Sequence, residues 1–506
     1  MLNRYKPLLR TVIFIALATG MFNRLTWIML PKWDSSEVIE WGGNSWFSSA
    51  NVNAIYDIPN DTIDVVALGP STTMRSFSPL ELYGNYGLSA INLGTGNQPP
   101  MGGYYMLIEL LKTQTPKVVF LEAFTLVHPN SAESFFRVTF DFLRMSQGKF
   151  EGVVEHSKSD GADSLISYIF PLLKYHTTWK SIYPELLLKF KPEEHSTYHY
   201  GYHLDNHQMQ PVEFDGWEEK TVTGVSAYNI DAYEYLSKTI ELCKANNIEV
   251  ILYKSPHQGW AERDFAAVET FAKLYEVPYY DFNTAAIIES SGVSFETDFG
   301  DPSHLNLIGA LKVTNYLGEV LEKHYQLPDR RNDAKYEHIN KGYIRYVREK
   351  ENAGFGLTKN MLSYLDLIES SKDDYTIFFS IMDEATYSLD IQLLTALTQI
   401  GFETEFTNKF GFPFIGVISN GEVIYEQIGM KQDDELSYSG KLLDNKSFEV
   451  KSVGIPERYS SIIVDDVEYA KNVRGFNIVV YDNKYNHVVD SIAFDTWIDA
   501  GVTYVR

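Results

Sequence analysis

The 506-residue sequence contains one cysteine, Cys243. A single thiol excludes an intramolecular disulfide, and the helical pattern around it predicts a small buried core residue. Internal repeats and long polar or repetitive tracts are also missing, which argues against extended disorder. What remains is a long chain of ordinary globular composition, so two or three domains are expected.

Basic side chains are outnumbered, because 43 Lys and Arg stand against 67 Asp and Glu, a formal net charge of −24. So acidic a chain repels the phosphate backbone of nucleic acids rather than attracting it. Nucleic acid is therefore not an expected partner. No cofactor is predicted either.

Four histidines recur at a spacing that could place metal ligands on one face of a helix. They are His195, His199, His203 and His207, which recur every four residues. Their tyrosine-rich surroundings make a poor helix, and no acidic or cysteine ligand recurs at metal-site spacing, so no metal is predicted. The segment indicates instead an aromatic rim of a cleft or, with equal weight, buried aromatic packing. The aromatic residues considered are Trp179, Tyr198, Tyr202, Trp217 and Trp260.

The first thirty residues have the pattern of an export segment. Arg4, Lys6 and Arg10 precede apolar residues that occupy most of positions 11–30. Positive charge ahead of an apolar segment predicts that the N-terminus stays in the cytoplasm and that the body is extracellular. Because no small-residue cleavage site follows, residues 1–34 are predicted to be an uncleaved single-pass membrane anchor. The alternative is an amphipathic or buried N-terminal helix.

Strand and helix patterns alternate over residues 35–326. Short apolar strands are predicted at 63–68, 90–93, 118–121, 248–253 and 278–282. Apolar strands joined by helices predict an α/β fold in which a parallel sheet is covered on both faces. Residues 124–224 interrupt the alternation and are predicted to be an insertion or a lid.

The composition changes after residue 326. Residues 327–370 are charged and helical, which predicts a linker. Residues 371–506 are rich in strand patterns and predict a separate α+β domain, in which the dipeptide Asn420-Gly421 marks the turn of a hairpin at 414–425.

Two motifs carry the chemistry of the α/β domain. Ser71 follows the first strand, at the edge of the sheet where open α/β folds place their active sites. Asp301 stands three residues before His304, so it can orient the imidazole while the other ring nitrogen faces a serine. Alone, Ser71 could be a helix N-cap and His304 a hydrogen-bonded residue at a helix start. Together they predict a catalytic triad.

These motifs resemble those of the SGNH (GDSL-like) hydrolases over residues 35–326. The matching blocks are Gly69 with Ser71, then Asn92-Leu93-Gly94, then Asp301 with His304-Leu305-Asn306. With Pro31-Lys32-Trp33 at the end of the predicted anchor, the chain is more narrowly similar to a membrane-anchored Gram-positive branch, related to teichoic-acid D-alanylation and alginate acetylation proteins. The resemblance implies a three-layer SGNH-type fold and a Ser71, Asp301, His304 triad.

The resemblance also implies which groups stabilise an oxyanion. The backbone N–H groups of Ser71 and Gly94 would face the developing negative charge. The third block of the family is missing, because the third strand ends in Glu122 without the expected asparagine. A side-chain amide of Asn97 or Gln98 would supply the remaining donor. Glu122 is expected to be a structural partner rather than a catalyst.

Lys254, His257 and Trp260 follow the fourth strand, at the same edge of the sheet. Their position predicts contact with substrate, and the aromatic ring of Trp260 suits stacking against a sugar. Packing within the domain is the alternative for the tryptophan.

The C-terminal domain resembles the interleukin-like EMT inducer family. The likeness rests on residues 474–482, on Phe494-Asp495-Thr496, and on the strand 375–381 with the Met382-Asp383 that follows. This resemblance implies a carbohydrate-binding accessory role, although a purely structural domain fits the sequence equally well.

The combined prediction is an extracytoplasmic serine esterase or O-acyltransferase that acts on acyl groups, foremost acetyl, of a cell-envelope polysaccharide. Water as the acceptor gives an esterase. A sugar hydroxyl gives a transferase, for which a membrane-bound O-acyltransferase is a candidate partner. The alternative is a catalytically inactive SGNH-fold protein that binds glycans or assists envelope assembly, and the missing third block favours it.

Overall fold

The computed structural model describes residues 45–128, 132–159, 161–176, 198–214, 216, 224–497 and 502–506, with individual positions between 10 and 25. The chain divides into two compact units, Met1–Tyr346 and Val347–Arg506. Within the described part of the chain, no helix is long and apolar enough to cross a membrane. Most of the predicted anchor, residues 1–34, lies outside the described residues.

A parallel sheet forms the centre of the first unit. Its strands are β1 Val65–Leu68, β2 Ala90–Asn92, β3 Val118–Glu122, β4 Glu249–Lys254 and β5 Tyr279–Asp281. They lie in the order β2-β1-β3-β4-β5, and each neighbouring pair is parallel. Every residue of β1, β2 and β3 is buried, as a parallel sheet covered on both faces requires. The prediction of an α/β fold with a parallel sheet is confirmed.

Helices cover both faces of this sheet. They are α1 Ser45–Asp57, α2 Ser71–Ser76, α3 Pro79–Tyr86, α4 Pro100–Leu110, α5 Glu133–Phe140, α6 Gln147–His156, α7 Leu165–Ile169, α8 Leu172–Tyr175, α9 Ile230–Ala245, α10 Glu262–Tyr275, α11 Ala285–Ser291 and α12 Leu307–His324. Val66 shares a core with Leu107 of α4, whereas its neighbour Val65 shares a different core with Leu317 of α12. Successive strand residues point to opposite faces, so the sheet is the middle of three layers.

The parallel sheet determines where functional side chains can come together, because the carboxyl ends of all five strands lie at one edge. The segment before α12 adds a short antiparallel ladder of β6 Phe299–Asp301 and β7 His304–Leu305. In that ladder Asp301 pairs with His304. The described part of the interrupting segment 124–224 contains α5 to α8 and two 3-10 turns, Phe124–Leu126 and Tyr198–Gly201.

The segment 327–370, predicted to be a charged linker, contributes to packed cores instead. It forms the whole of α13 Glu337–Leu357 and all but the last residue of α14 Met361–Ser371. Ile339 and Tyr346 belong to a core of the first unit, and Phe355 and Leu365 to a core of the second. The prediction of a spacer is corrected, because the charged residues are one side of amphipathic helices whose apolar side is buried.

Strands dominate the second unit, as predicted. They are β8 Tyr375–Met382, β9 Phe414–Ser419, β10 Glu422–Ile428, β11 Glu435–Lys441, β12 Ser447–Val453, β13 Tyr459–Val464, β14 Val467–Glu468, β15 Gly475–Asp482, β16 His487–Asp495 and β17 Thr503–Val505. Two antiparallel sheets result, β10-β9-β8-β15-β16-β17 and β11-β12-β13-β14. The predicted hairpin is confirmed as β9 and β10, with Asn420 at φ 51° and Gly421 at φ 82° in the turn.

The six-stranded sheet of this unit has a different core on each face. Phe379 of β8 packs in the core that contains Leu397 of α15 Ile391–Gln399, whereas Phe378 packs in the core that contains Val450 of β12. The sheet is therefore covered by helices on one side and by the four-stranded sheet on the other.

Candidate active site

Ser71, His304 and Asp301 meet at the carboxyl edge of the parallel sheet. Ser71 Oγ lies 2.7 Å from His304 Nε2. His304 Nδ1 lies 2.9 Å from each oxygen of the Asp301 carboxylate. In the neutral imidazole, Nδ1–H donates to the carboxylate and Nε2 accepts from the hydroxyl. This is the hydrogen-bonded chain that an activated serine requires.

The Asp301 carboxylate is held in its ionised form. Burial alone would raise its pKa, but hydrogen bonds from His304 and from the Ser303 N–H, with the charge of the imidazole, lower the pKa of Asp301 to about 2. A carboxylate with this pKa is negative at neutral pH. It therefore keeps the His304 proton on Nδ1 and leaves Nε2 to act as a base.

Local backbone geometry presents Ser71 to the histidine. Gly69 has a φ of 152°, and a Cβ at this position would lie 2.7 Å from Cβ of Glu122. Only glycine fits this close approach and this backbone angle. Pro70 is the N-cap of α2, so the chain turns sharply after β1 and Ser71 begins the helix.

The second block, Asn92-Leu93-Gly94, lies against α2. The Asn92 amide donates to the carbonyls of Thr73 at 2.7 Å and Phe77 at 2.8 Å. Its Oδ1 accepts the Gly94 N–H at 2.9 Å. The backbone donor predicted at Gly94 is therefore engaged by Asn92, and it must be shared or released before it can bind an oxyanion.

The two side-chain amides predicted as the remaining donor differ in their surroundings. Gln98 is buried, accepts the Gly69 N–H at 3.1 Å and donates to the Leu93 carbonyl at 2.7 Å. Because its amide is engaged at both ends, Gln98 joins two loops and its predicted role as a donor is corrected. Asn97 is half-buried at a φ of 47°, and its side chain makes no hydrogen bond with another described residue. Asn97 is thus the available amide.

Lys254 does not have the surroundings of a substrate contact. Its side chain is 0% exposed, and Nζ donates to Glu122 Oε1 at 2.7 Å and to the Ser255 carbonyl at 2.8 Å. The other Glu122 oxygen accepts the Phe124 N–H at 2.9 Å. The predicted role of Lys254 in substrate binding is corrected, because a fully buried ion pair ties the ends of β3 and β4 together. Glu122 is therefore a structural partner, as the sequence predicts.

His257 keeps exposed surface, and Trp260 does not. His257 Nδ1 accepts the Gly259 N–H at 2.9 Å, so the proton of the neutral ring is on Nε2. Burial, with the positive charge of Lys254, lowers the pKa of His257 to about 3, and the ring offers a neutral donor. Trp260 is 4% exposed and donates to Asp281 at 2.8 Å. Its predicted contact with substrate is corrected, because it is a core residue.

The histidine and tyrosine segment is only partly packed inside the first unit, because the His207 side chain is 83% exposed. Tyr200 and Tyr202 are 2% and 3% exposed, which assigns them to buried packing rather than to a cleft rim. Among the described residues, no group of three or more His, Cys, Asp or Glu could hold a metal ion. His195, Trp179 and Trp217 lie outside the described residues.

Sequence reasoning missed residues that support the site from other segments. Asn51 donates to the Gly94 carbonyl at 2.6 Å and so fixes the second block. Arg75, one turn after Ser71, forms an ion pair with Asp205 of the interrupting segment. In the sequence, only the spacing of four residues from Ser71 pointed to Arg75. Nothing pointed to Asn51 or Asp205, because the residues that they bind are distant in sequence.

Comparisons with known proteins add little to this geometry. No protein-family model and no curated protein match the chain. Among the solved structures that match is a Bacteroides fragilis protein proposed to be an acylhydrolase, with 14% sequence identity and a TM-score of 0.26. The match covers 58% of this chain and 99% of that chain. A score this low establishes neither a shared fold nor a shared function.

Proposed function

We propose that this chain is a serine acyl-ester hydrolase or O-acyltransferase with Ser71 as nucleophile, His304 as base and Asp301 as the orienting carboxylate. The observation that carries the proposal is the continuous hydrogen-bonded chain from Ser71 Oγ through His304 to Asp301, with contacts of 2.7 and 2.9 Å. Each residue alone has a structural explanation. Their convergence from positions 233 residues apart supports a shared chemical role.

The reaction follows from this arrangement. As Ser71 Oγ attacks the ester carbonyl, His304 Nε2 takes the hydroxyl proton, and the imidazolium is stabilised by Asp301. His304 then donates the proton to the departing alcohol, which leaves an acyl group on Ser71. In the second half, His304 deprotonates the acceptor, which attacks the acyl carbonyl, and the proton returns to Ser71 Oγ as the bond between the acyl group and Ser71 breaks. Water yields the free acid, and a sugar hydroxyl yields a new ester.

In this proposal the Ser71 N–H and the Asn97 side-chain amide stabilise the oxyanion. The Gly94 N–H becomes a further donor when its hydrogen bond to Asn92 Oδ1 breaks. Removing one such donor costs about 10²–10³ in rate in well-studied hydrolases. His257, with its neutral Nε2–H donor, is proposed to contact the substrate.

The proposed substrate is an acylated, foremost acetylated, polysaccharide of the cell envelope, reached by a body that residues 1–34 anchor to the membrane from outside. An exposed aromatic group in the second unit supports a carbohydrate partner. Tyr387 is 64% exposed, and its ring centroid lies 4.7 Å from that of Trp497. The ring centroid of Phe410 lies 5.4 Å from that of the same indole. Flat apolar rings with polar edges suit the faces of sugars.

One observation favours a second candidate function, a glycan-binding or envelope-assembly protein without catalysis. The Gly94 N–H is bound by Asn92 at 2.9 Å rather than being open to a substrate oxygen. An oxyanion site that stays closed would leave the triad chemically silent.

The deciding experiment treats the full chain with a fluorophosphonate probe and follows hydrolysis of p-nitrophenyl acetate. Wild type is compared with Ser71→Ala, His304→Ala and, as a matched control, Ser290→Ala, whose exposed hydroxyl donates to the Ala286 carbonyl of its own helix. We expect wild type and Ser290→Ala to label and turn over, and the other two to do neither. A folded wild type that does neither would move the binding-protein candidate ahead.

A further inference from the structure

A short segment of the first unit bonds to both halves of the candidate triad. Its His203 N–H donates to the Met74 carbonyl of α2 at 2.8 Å. Its Met209 N–H donates to the Phe299 carbonyl of β6 at 2.9 Å. The segment 203–209 therefore lies between the helix that carries Ser71 and the ladder that carries Asp301 and His304.

Asp205 is the centre of this segment, and it binds both sides at once. Its carboxylate forms the ion pair with Arg75 of α2 through Oδ2. Its main-chain carbonyl accepts the Leu307 N–H at 2.7 Å, three residues after His304. A Cβ at Gly300 would clash with the same carboxylate, so the residue before Asp301 packs directly on it.

The carboxylate is held in one orientation. Oδ1 accepts the His207 N–H at 2.9 Å and faces His207 Nδ1 at 2.8 Å, which leaves Oδ2 for Arg75. The side chains of Asp205 and Arg75 are 8% and 15% exposed. Charges so far removed from water are tied to one geometry, because separation would leave each one desolvated and unpaired.

We propose that the Arg75–Asp205 ion pair positions the nucleophile against the base: it fixes α2, and with it Ser71, relative to the loop that carries Asp301 and His304. This inference rests on the proposed function. Neither Arg75 nor Asp205 touches the reacting atoms. Their effect passes through the Ser71 Oγ to His304 Nε2 contact of 2.7 Å, and a misplacement of about 1 Å at a reacting centre can cost 10²-fold in rate.

The test compares wild type with Asp205→Asn, Arg75→Lys and the double variant Arg75→Met with Asp205→Asn. In p-nitrophenyl acetate hydrolysis we expect Asp205→Asn to lower kcat by about tenfold to 10²-fold with KM nearly unchanged. Arg75→Lys keeps the charge and should recover part of the loss. The double variant removes the unpaired buried charge, so it should regain stability while kcat stays low.

The matched control is Asp64→Asn, which breaks the ion pair of the buried Asp64 with the half-buried Arg330, 2.7 Å, at the amino end of β1. It should lower stability and leave kcat unchanged. Recovery of kcat in the double variant, or an equal loss of kcat in Asp64→Asn, would overturn the inference in favour of a stability effect.

Crystal structures of wild type and Asp205→Asn separate this inference from the proposed function. We expect the Ser71 Oγ to His304 Nε2 distance to lengthen in Asp205→Asn. An unchanged distance would overturn the positioning role even if wild type is active. A lengthened distance with an inactive wild type would support the positioning role and reject the proposed chemistry.

Discussion

The two units of this chain contain sheets of opposite kinds. In the five-stranded sheet of the first unit all strands run parallel, so the residues that follow β1, β2, β3 and β4 meet at one edge. In the second unit every neighbouring pair is antiparallel, and successive strand ends alternate between the two edges. Only the first arrangement brings distant sequence positions together at a single place.

Hydrogen-bonded carboxylates have correspondingly different surroundings in the two units. At the edge of the parallel sheet, Asp301 accepts from a histidine that faces a serine hydroxyl. In the second unit, the buried Asp482 accepts from Arg348 at 2.8 Å and from the N–H groups of the turn that follows it. The first carboxylate holds an imidazole, and the second holds a turn in place. A hydrogen-bonded aspartate therefore indicates chemistry only when its partner can still move a proton.

The largest expected effect comes from Asp301→Asn. An amide in place of the carboxylate stabilises the wrong imidazole tautomer, and kcat for p-nitrophenyl acetate should fall by about 10⁴ with the fold intact. The comparison variant is Asp444→Asn in the second unit, whose carboxylate accepts from Tyr481 at 2.9 Å and should leave kcat unchanged. A tenth or more of wild-type activity in Asp301→Asn would contradict the role given to this carboxylate.

Glu122→Gln should have the next largest effect, on stability. It leaves Lys254 charged, 0% exposed and without a carboxylate, which costs about 3–5 kcal/mol in the free energy of unfolding. Chemical denaturation measures the loss. The double variant Glu122→Gln with Lys254→Met should recover most of it. If Lys254→Met instead raises KM with stability unchanged, Lys254 binds substrate after all.

Phe379→Ala should lower the free energy of unfolding of the second unit by a similar amount. The ring is 0% exposed and packs edge-on against Phe402 with centroids 5.0 Å apart. Its removal should cost about 3–5 kcal/mol in the unfolding of that unit. Turnover by the first unit, measured below the unfolding transition, should stay at the wild-type rate. A parallel fall in kcat would show that the second unit contributes to catalysis.

Ser71, Asp301 and His304 could be predicted because their geometry depends on local features. A residue just past a parallel strand lies at the carboxyl edge of the sheet, and an aspartate three residues before a histidine can reach the ring within one turn. The Asn420-Gly421 hairpin was predictable for the same reason, because two adjacent residues decide the turn.

Burial depth could not be predicted in this way. Lys254 ends β4 and His257 lies three residues further on, yet Lys254 is completely buried and His257 is half-buried. The difference depends on Glu122, which lies 132 residues away and neutralises the lysine. The segment 327–370 was misjudged for a related reason, because its average composition is charged while the apolar residues at helical spacing decide where the helices pack.

The smallest expected effect is the acid dependence of stability. The folded pKa of Asp301, about 2, lies below the ordinary value of 3.8. The ionised carboxylate therefore stabilises the folded state fully above about pH 4, and this contribution is lost as the pH falls through about 2. Because the side chain is 45% exposed, solvent screening limits the contribution to about 1 kcal/mol or less. The difference in unfolding free energy between wild type and Asp301→Asn should shrink between pH 4 and pH 2. A difference that grows over this interval would mean that His304 does not hold the carboxylate, and the distinction drawn between the two units would lose its clearest example.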